Sequence, residues 1–78
     1  MYYVYLLELS NNSCYVGSSD DLKERVKDHQ EGSVISTKPF RPVKLVFYCA
    51  FPTKSQALKF ERYLKSGSGK AFRNRHLL

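Results

Sequence analysis

The alternation of apolar and polar residues along the chain predicts three β-strands. Residues 2–9 are dense in Tyr, Val and Leu, and residues 14–17 form a second, shorter apolar run. The turn-forming cluster at 10–13 separates them, so the first seventeen residues predict a hairpin. Residues 43–51 are apolar on both faces apart from Lys44, which is typical of a strand covered on both sides. We therefore predict that this third strand is central in the sheet.

The segment after the hairpin has the pattern of a helix. Polar residues at 18–21 can cap free N–H groups, and Gly32 is a natural stop. One face of the segment carries residues at helical spacing, namely Leu22, Val26 and His29. These signals predict a helix over about residues 20–30, followed by a loop at 32–42.

The last third of the chain predicts two further helices. Thr53 and Gln56 fit a capping box, so we expect a helix from Thr53 to about residue 65. The Ser-Gly-Ser-Gly sequence at 66–69 predicts a break, and a short basic helix follows over 70–78. The order β-β-α-β-α-α predicts an α+β fold, with a small three-stranded antiparallel sheet flanked by helices. We expect residues 1–78 to form one domain.

Composition and charge narrow the class of protein. The chain is 42% apolar and 14% aromatic, which suits a globular fold. Thirteen Lys and Arg against seven Asp and Glu give a net charge of +6. That excess suits a polyanion such as nucleic acid, although an ordinary basic protein would show it too. With two cysteines, no secretory leader and no apolar run of about 20 residues, we expect a cytoplasmic protein with reduced thiols and no membrane association.

Glu61 stands out because it lies on or beside the apolar stripe of the second predicted helix. Its helical neighbours include Ala57, Leu58 and Leu64. An unpaired carboxylate there is costly, so it must find a metal ion, a buried Arg, or water at the edge of the helix. The residues alone favour a structural pairing over a metal.

Four further side chains are candidates for phosphate chemistry. Arg25 and His29 lie four residues apart and project from one helix face, although a solvated pair would show the same spacing. Tyr5 and Tyr15 lie on opposite arms of the hairpin. They share a sheet face only if paired residue numbers give an even sum, for example with Leu9 opposite Tyr15 around a three-residue loop. A two-residue turn at Asn11-Asn12 would place them on opposite faces.

Taken together, these residues resemble the signature of the GIY-YIG nuclease superfamily. The matching motifs are Tyr3-Val4-Tyr5, Tyr15-Val16-Gly17, Leu22-x-x-Arg25-x-x-x-His29 and the later Glu61. The resemblance covers the whole chain, and the chain is most similar in length and motifs to the small single-domain branch of the superfamily. Tyr3 replaces the first glycine of the opening motif. The asparagine that many members carry after the glutamate has no assured counterpart, because Asn74 lies between two arginines.

The resemblance implies a metal-dependent endonuclease that hydrolyses phosphodiester bonds with one Mg²⁺ or Mn²⁺ held by Glu61. Tyr15 would be the general base, with Tyr5 as the alternative and the other tyrosine orienting phosphate or water. Arg25 would neutralise charge on the phosphoryl oxygens, and His29 would assist proton transfer or hold the scissile phosphate. The substrate would be DNA rather than RNA, in a setting such as DNA repair.

We expect the contacts to nucleic acid to come from one glycine and several cations: Gly17, Lys38, Arg41, Lys70 and Arg73. No segment looks like a helix that reads bases in the major groove, so an accessory protein subunit would supply specificity. The alternative is a nucleic-acid-binding module of the same fold with weak or no catalysis. A third interpretation is an adaptor whose basic surface binds an acidic protein.

Overall fold

The computed structural model describes residues 1–76, which form three strands and three helices. Their order confirms the predicted β-β-α-β-α-α arrangement, with a short 3₁₀ turn at Lys38–Phe40 in the loop before the third strand. The elements are β1 (Tyr2–Glu8), β2 (Cys14–Ser19), α1 (Leu22–Glu31), β3 (Lys44–Phe51), α2 (Lys54–Lys65) and α3 (Gly67–His76). No helix within residues 1–76 is long and apolar enough to cross a membrane.

The central strand of the sheet is β1, so the prediction that β3 is central is wrong. The strand order is β2-β1-β3, and both pairings are antiparallel. The four residues Val4 to Leu7 are all buried, whereas Tyr48 on β3 is 55% exposed. The apolar character of β3 reflects packing under α2, where Phe51 contacts Phe60, rather than pairing on both edges.

Both faces of the sheet are covered. On one face, Val4, Leu6 and Val16 pack against Ala57 and Leu64 of α2. The other face lies under α1 and the loop that follows it, with the following residues in contact: Tyr5, Leu7, Leu9, Val43, Tyr15, Leu22, Phe40 and Leu45. The candidate tyrosines therefore lie on the α1 side, and Glu61 belongs to a helix on the opposite side.

The register of the hairpin places Tyr5 and Tyr15 on the same face. Leu7 lies opposite Tyr15 and Tyr5 lies opposite Gly17, so paired residue numbers have the required even sum. The pairing differs by two residues from the Leu9–Tyr15 example. The Leu9 N–H donates to the Ser13 carbonyl (2.9 Å), which leaves a three-residue loop with Asn12 in the left-handed region (φ 66°).

Helix α1 begins and ends where the capping signals predict. Asp21 accepts a hydrogen bond from the Glu24 N–H, and Gly32 ends the helix in the left-handed conformation (φ 84°). These caps fix the helix so that His29 points into the protein, where it is buried.

Helix α3 begins three residues earlier than predicted. The break is limited to Ser66, whose hydroxyl accepts from the Gly69 N–H (3.1 Å) and so caps the start of α3. Gly69 is buried against the end of α2, and a Cβ there would lie 2.6 Å from the Leu64 Cα. The glycines at 67 and 69 therefore belong to the helix, and the predicted end of this helix at residues 77–78 lies outside the described residues.

Candidate active site

The Tyr5 ring lies directly over Gly17 on the neighbouring strand. A Cβ at residue 17 would lie 2.5 Å from Tyr5 Cζ, so only glycine leaves room for the ring. The glycine at position 17 predicts that substrate or a helix backbone approaches closely there. In the structure the space next to Gly17 is occupied by the phenol ring of Tyr5. Contact between Gly17 and nucleic acid stays a prediction.

Tyr5, His29 and Thr37 form a buried chain of side chains. The Tyr5 hydroxyl lies 2.8 Å from His29 Nε2, and His29 Nδ1 lies 2.8 Å from Thr37 Oγ1. All three residues are at most 1% exposed. Thr37 was not among the sequence candidates, because a lone Thr in a loop carries no signal. We call this set the Tyr5–His29–Thr37 chain.

His29 is neutral in this environment. Burial lowers the pKa of its imidazole below the ordinary value, and the nearby Arg25 cation lowers it further, while Asp28 opposes the shift only in part. With both ring nitrogens engaged and no exposed surface, the ring cannot reach a phosphate in this structure. The two roles expected of His29, holding the scissile phosphate or assisting proton transfer, both stay predictions, and its buried position favours proton transfer.

Arg25 connects the buried chain to solvent. Its guanidinium interacts with the Tyr5 phenol, and this interaction raises the pKa of Arg25. Burial raises the pKa of Tyr5 above its ordinary value, and Arg25 offsets this only in part. The phenol of Tyr5 is thus protonated near neutral pH. The Arg25 side chain is 39% exposed, so it can also face a ligand.

Tyr15 is the more accessible of the two tyrosines. Its ring centroid lies 5.0 Å from that of His29 and 6.4 Å from that of Tyr5. Tyr15 is half-buried, and within residues 1–76 its hydroxyl makes no side-chain hydrogen bond and is not among the buried polar atoms that lack a partner. Tyr15 is therefore the tyrosine that a ligand can reach more readily, whereas Tyr5 is enclosed.

Glu61 reaches the edge strand β2 from the other side of the sheet. Its Oε1 accepts from the Ser18 hydroxyl (2.7 Å), and its Oε2 pairs with Lys65 Nζ (2.8 Å). Burial alone would raise the pKa of this carboxyl, but the hydrogen bonds from Lys65 and Ser18 lower it overall. The negative charge of Glu61 also raises the pKa of Tyr5, so the carboxylate lies within electrostatic reach of the phenol.

The partners of Glu61 differ from the three that the sequence left open. They are a lysine one turn further along the same helix and a hydroxyl from β2. The Glu61–Lys65 spacing of four residues is a readable signal for such a pair. The Ser18 contact joins residues 43 positions apart and has no local signal.

A cleft of about 420 Å³ opens between the start of α1 and α2. Arg25 and Ser18 both line it, together with Tyr2, Ser19, Asp20, Lys54, Ala57 and Leu58. The cleft is therefore next to Ser18, which donates a hydrogen bond to Glu61, and next to Arg25, which interacts with Tyr5. It has room for a phosphodiester group.

The single carboxylate of Glu61 suits a hydrated divalent ion that is also bound by substrate phosphates, rather than an ion whose ligands all come from the protein. Within residues 1–76 no group of three or more His, Cys, Asp or Glu side chains is arranged to hold a metal. Mg²⁺ is commonly bound by one or two carboxylates plus waters and substrate phosphates. Glu61 meets that need, since its side chain is 17% exposed and one of its oxygens pairs with an exposed lysine.

The predicted nucleic-acid contacts are not equally placed. Lys38 and Lys70 are exposed. Arg41 is exposed too, but its guanidinium packs over Gly32 at the end of α1, and its Nε donates to the Lys38 carbonyl (3.1 Å). Arg73 is half-buried beside the Cys14 thiol, and within residues 1–76 its buried Nε has no hydrogen-bond partner. Arg73 is therefore partly committed to packing and is not a freely exposed cation.

The net positive charge is concentrated on α2 and α3. Residues 54–78 hold seven Lys or Arg and one acid, whereas residues 1–53 hold six of each. The whole net charge of +6 thus lies in the segment that contains these two helices. Considering cations one by one does not reveal this distribution. We call the exposed cations of α2 and α3 the basic face, which comprises Lys54, Lys59, Arg62, Lys65, Lys70 and Arg75.

A three-stranded sheet with two tyrosines on one face, Arg25 and His29 on the first helix and Glu61 on the second defines a GIY-YIG catalytic domain. The model of the family described as the GIY-YIG catalytic domain matches residues 1–75, and the chain belongs to this family. The resemblance stated from the motifs is thereby confirmed. Membership indicates a nuclease type of domain that interacts with nucleic acid, in a family whose nucleases generally use divalent metals.

The chain is also similar to several UPF0213 proteins. It is 40% identical to UPF0213 protein YazA of Bacillus subtilis over 82% of this chain and 66% of that protein. It is 38% identical to a UPF0213 protein of Staphylococcus saprophyticus over 86% and 83%. The solution NMR structure of UPF0213 protein BH0048 from Bacillus halodurans matches with a TM-score of 0.60 and 34% identity, covering 96% of this chain and 84% of that one. This likeness confirms the predicted fold class.

Proposed function

We propose that this protein is a metal-dependent endonuclease that hydrolyses phosphodiester bonds in DNA. The observation that carries the proposal is that one cleft is lined by Arg25 and by Ser18, the hydrogen-bond partner of Glu61. Tyr15 lies on the α1 side of the same hairpin, with its ring centroid 5.0 Å from that of His29. A scaffold has no need to keep this set of groups.

In the proposed reaction we assign each side chain a role according to how accessible it is to the substrate. Tyr15 must first lose its own proton, and the resulting phenolate accepts a proton from the attacking water; Tyr15 suits this role because it is half-buried whereas Tyr5 is enclosed. Arg25 donates to the non-bridging phosphoryl oxygens, where negative charge grows in the transition state. Tyr5 and His29 lie behind them, and the Tyr5 hydroxyl is held by His29 Nε2.

Glu61 would hold one Mg²⁺ or Mn²⁺, with Ser18 orienting its carboxylate. When bound, the ion polarises the phosphate and stabilises the leaving oxygen. Lys65 must then release Glu61 Oε2, which is feasible because its side chain is 56% exposed and such pairs are weak.

The proposed substrate binds along the basic face of α2 and α3. A polyanion gains affinity by releasing counterions, and the whole net charge of the chain lies there. The preference for DNA and a role in DNA repair remain predictions that rest on the family resemblance. The accessory subunit and the cytoplasmic location remain predictions from the sequence.

A catalytically weak nucleic-acid-binding module is the second candidate, and the Glu61–Lys65 ion pair favours it. An ammonium group 2.8 Å from Oε2 competes with any divalent ion for that oxygen. Asn74, the only asparagine after Glu61, is exposed on α3. On this alternative the chain binds DNA in a salt-sensitive manner and does not cut it.

A cleavage assay on labelled branched, nicked, single-stranded and duplex DNA, with matched RNA, tests the proposal. We expect cleavage in Mg²⁺ or Mn²⁺, reduced at least 100-fold in Glu61→Gln and Arg25→Ala. Glu31→Gln is the matched control, since Glu31 is an exposed acid at the end of α1 that pairs with Lys27. Equal cutting by all variants would indicate a contaminant and refute the proposal. Salt-sensitive binding without cutting would favour the binding module.

A further inference from the structure

Thr37 is a fully buried polar residue that the family signature does not explain. It lies in the loop between α1 and β3, and its hydroxyl oxygen is 2.8 Å from His29 Nδ1 and 3.5 Å from the Val34 carbonyl oxygen. Both His29 and Thr37 have no exposed surface. A buried hydroxyl with two protein partners is either structural or sets the state of its neighbour.

The direction of the hydrogen bonds follows from what each partner can do. The Val34 carbonyl only accepts, so the Thr37 hydroxyl donates to it and its oxygen is left to accept from His29 Nδ1–H. Neutral His29 then has an unprotonated Nε2, which accepts from the Tyr5 hydroxyl.

The surroundings of Tyr5 lead to the same result independently. Within residues 1–76 the hydrogen bond of the Tyr5 hydroxyl is with His29 Nε2 (2.8 Å). If His29 Nε2 donated in this bond, the buried Tyr5 O–H would have no acceptor among these partners. The Tyr5 proton must therefore point to Nε2.

We propose that Thr37 is a positioning residue that fixes His29 as the Nδ1–H tautomer and so sets the direction of the hydrogen bond between Tyr5 and His29. The tautomer stands on the buried chain alone, whereas its effect on cleavage rests on the proposed nuclease function. Thr37 acts on the reaction through two other side chains and does not touch the substrate.

The loop can lose the Thr37 hydroxyl without losing its turn. The Thr37 N–H (3.2 Å) and the Lys38 N–H (2.9 Å) both donate to the Val34 carbonyl. Thr37→Val keeps the shape of the side chain and these backbone bonds but removes the acceptor for Nδ1–H. Thr37→Ser keeps the hydroxyl and is the matched control.

The test is the ¹⁵N NMR spectrum of the histidine rings near neutral pH, with His76→Gln to assign His29. The wild type and Thr37→Ser should show a protonated Nδ1 and a bare Nε2, and Thr37→Val should lose this single tautomer. A wild-type His29 protonated at Nε2 would overturn the proposal, and this result depends neither on a folded Thr37 variant nor on cleavage activity.

Cleavage kinetics test the second half of the proposal. Thr37→Val should lower kcat about 10- to 100-fold with little change in KM, and should alter the pH profile of kcat, while Thr37→Ser stays near wild type. An unchanged rate and pH profile in a Thr37→Val protein that has lost the tautomer would refute the positioning role. If no variant cleaves, the nuclease proposal fails, and the tautomer assignment is still decided by NMR.

Discussion

Replacing Gly17 with alanine should destabilise the domain by displacing the Tyr5 ring. The new Cβ would lie 2.5 Å from Tyr5 Cζ and 3.0 Å from Cε2, well inside van der Waals contact. The Tyr5 ring is 1% exposed and is held by His29, so it cannot swing aside freely. Relief of the clash must therefore displace the ring and lengthen its hydrogen bond to Nε2.

Two costs set the size of the effect. Overpacking a well-packed core costs about 1–3 kcal/mol, and leaving a buried acceptor such as Nε2 without its partner costs about 1–3 kcal/mol. Alanine recovers about 0.5–1 kcal/mol relative to glycine within a strand. Because one ring movement produces both costs, we expect a net loss of about 2–4 kcal/mol in the free energy of unfolding. For a domain of this size that lowers Tm by about 10 °C or more.

Urea denaturation with an unchanged m-value measures this loss. Gly67→Ala is the matched control, since a Cβ at the first residue of α3 meets nothing within 4 Å and should change stability by less than about 0.5 kcal/mol. In the double variant with Tyr5→Ala, Gly17→Ala should cost less than it does alone. A Gly17→Ala protein as stable as Gly67→Ala would refute the reasoning.

Three other predictions concern charge. Because the folded-state pKa of His29 is lowered, its contribution to stability is complete above about pH 6.5 and is lost as the pH falls below that value. In urea denaturation of His29→Gln, the free energy of unfolding should therefore depend less on pH between pH 7 and 5 than in the wild type. An unchanged slope would contradict the shift. Lys65→Met should raise Mn²⁺ affinity up to about fivefold in a titration, whereas Lys59→Met should not; equal affinities would show that Lys65 does not compete for Glu61. Substituting Lys70 and Arg75 with Gln should reduce the salt dependence of DNA binding by about one in slope per lost contact, while the same change at Lys23 and Lys27 on α1 should leave it nearly unchanged; a larger effect from α1 would remove the basic face as the binding surface.

Local signals in the sequence predicted most of the elements. The hairpin, the caps of α1 and the start of α2 depend on residues within a few positions of one another, such as Asp21 with Glu24 and Thr53 with Gln56. The motif order likewise identified the family, because family motifs keep their order and spacing along the chain.

What failed depends on contacts between distant parts of the chain. An apolar run cannot reveal whether a strand pairs on one edge or two, so β3 was wrongly placed at the centre. The partner Ser18 of Glu61 and the packing of Arg73 beside Cys14 also arise from tertiary structure. Thr37 matters only because the loop folds back over His29, eight residues away.

Paramagnetic broadening by Mn²⁺ tests the proposed ion site most directly. The ¹H–¹⁵N spectrum would be recorded with an uncleavable phosphorothioate oligonucleotide bound and Mn²⁺ added in small steps. The account predicts that the amide signals of Gly17 and Ser18 broaden first, well before those of Asn11 and Asn12 at the hairpin tip. This selectivity should vanish in Glu61→Gln and persist in Glu31→Gln. Uniform broadening, or selective broadening that survives in Glu61→Gln, would contradict an ion held by Glu61 at the edge of β2.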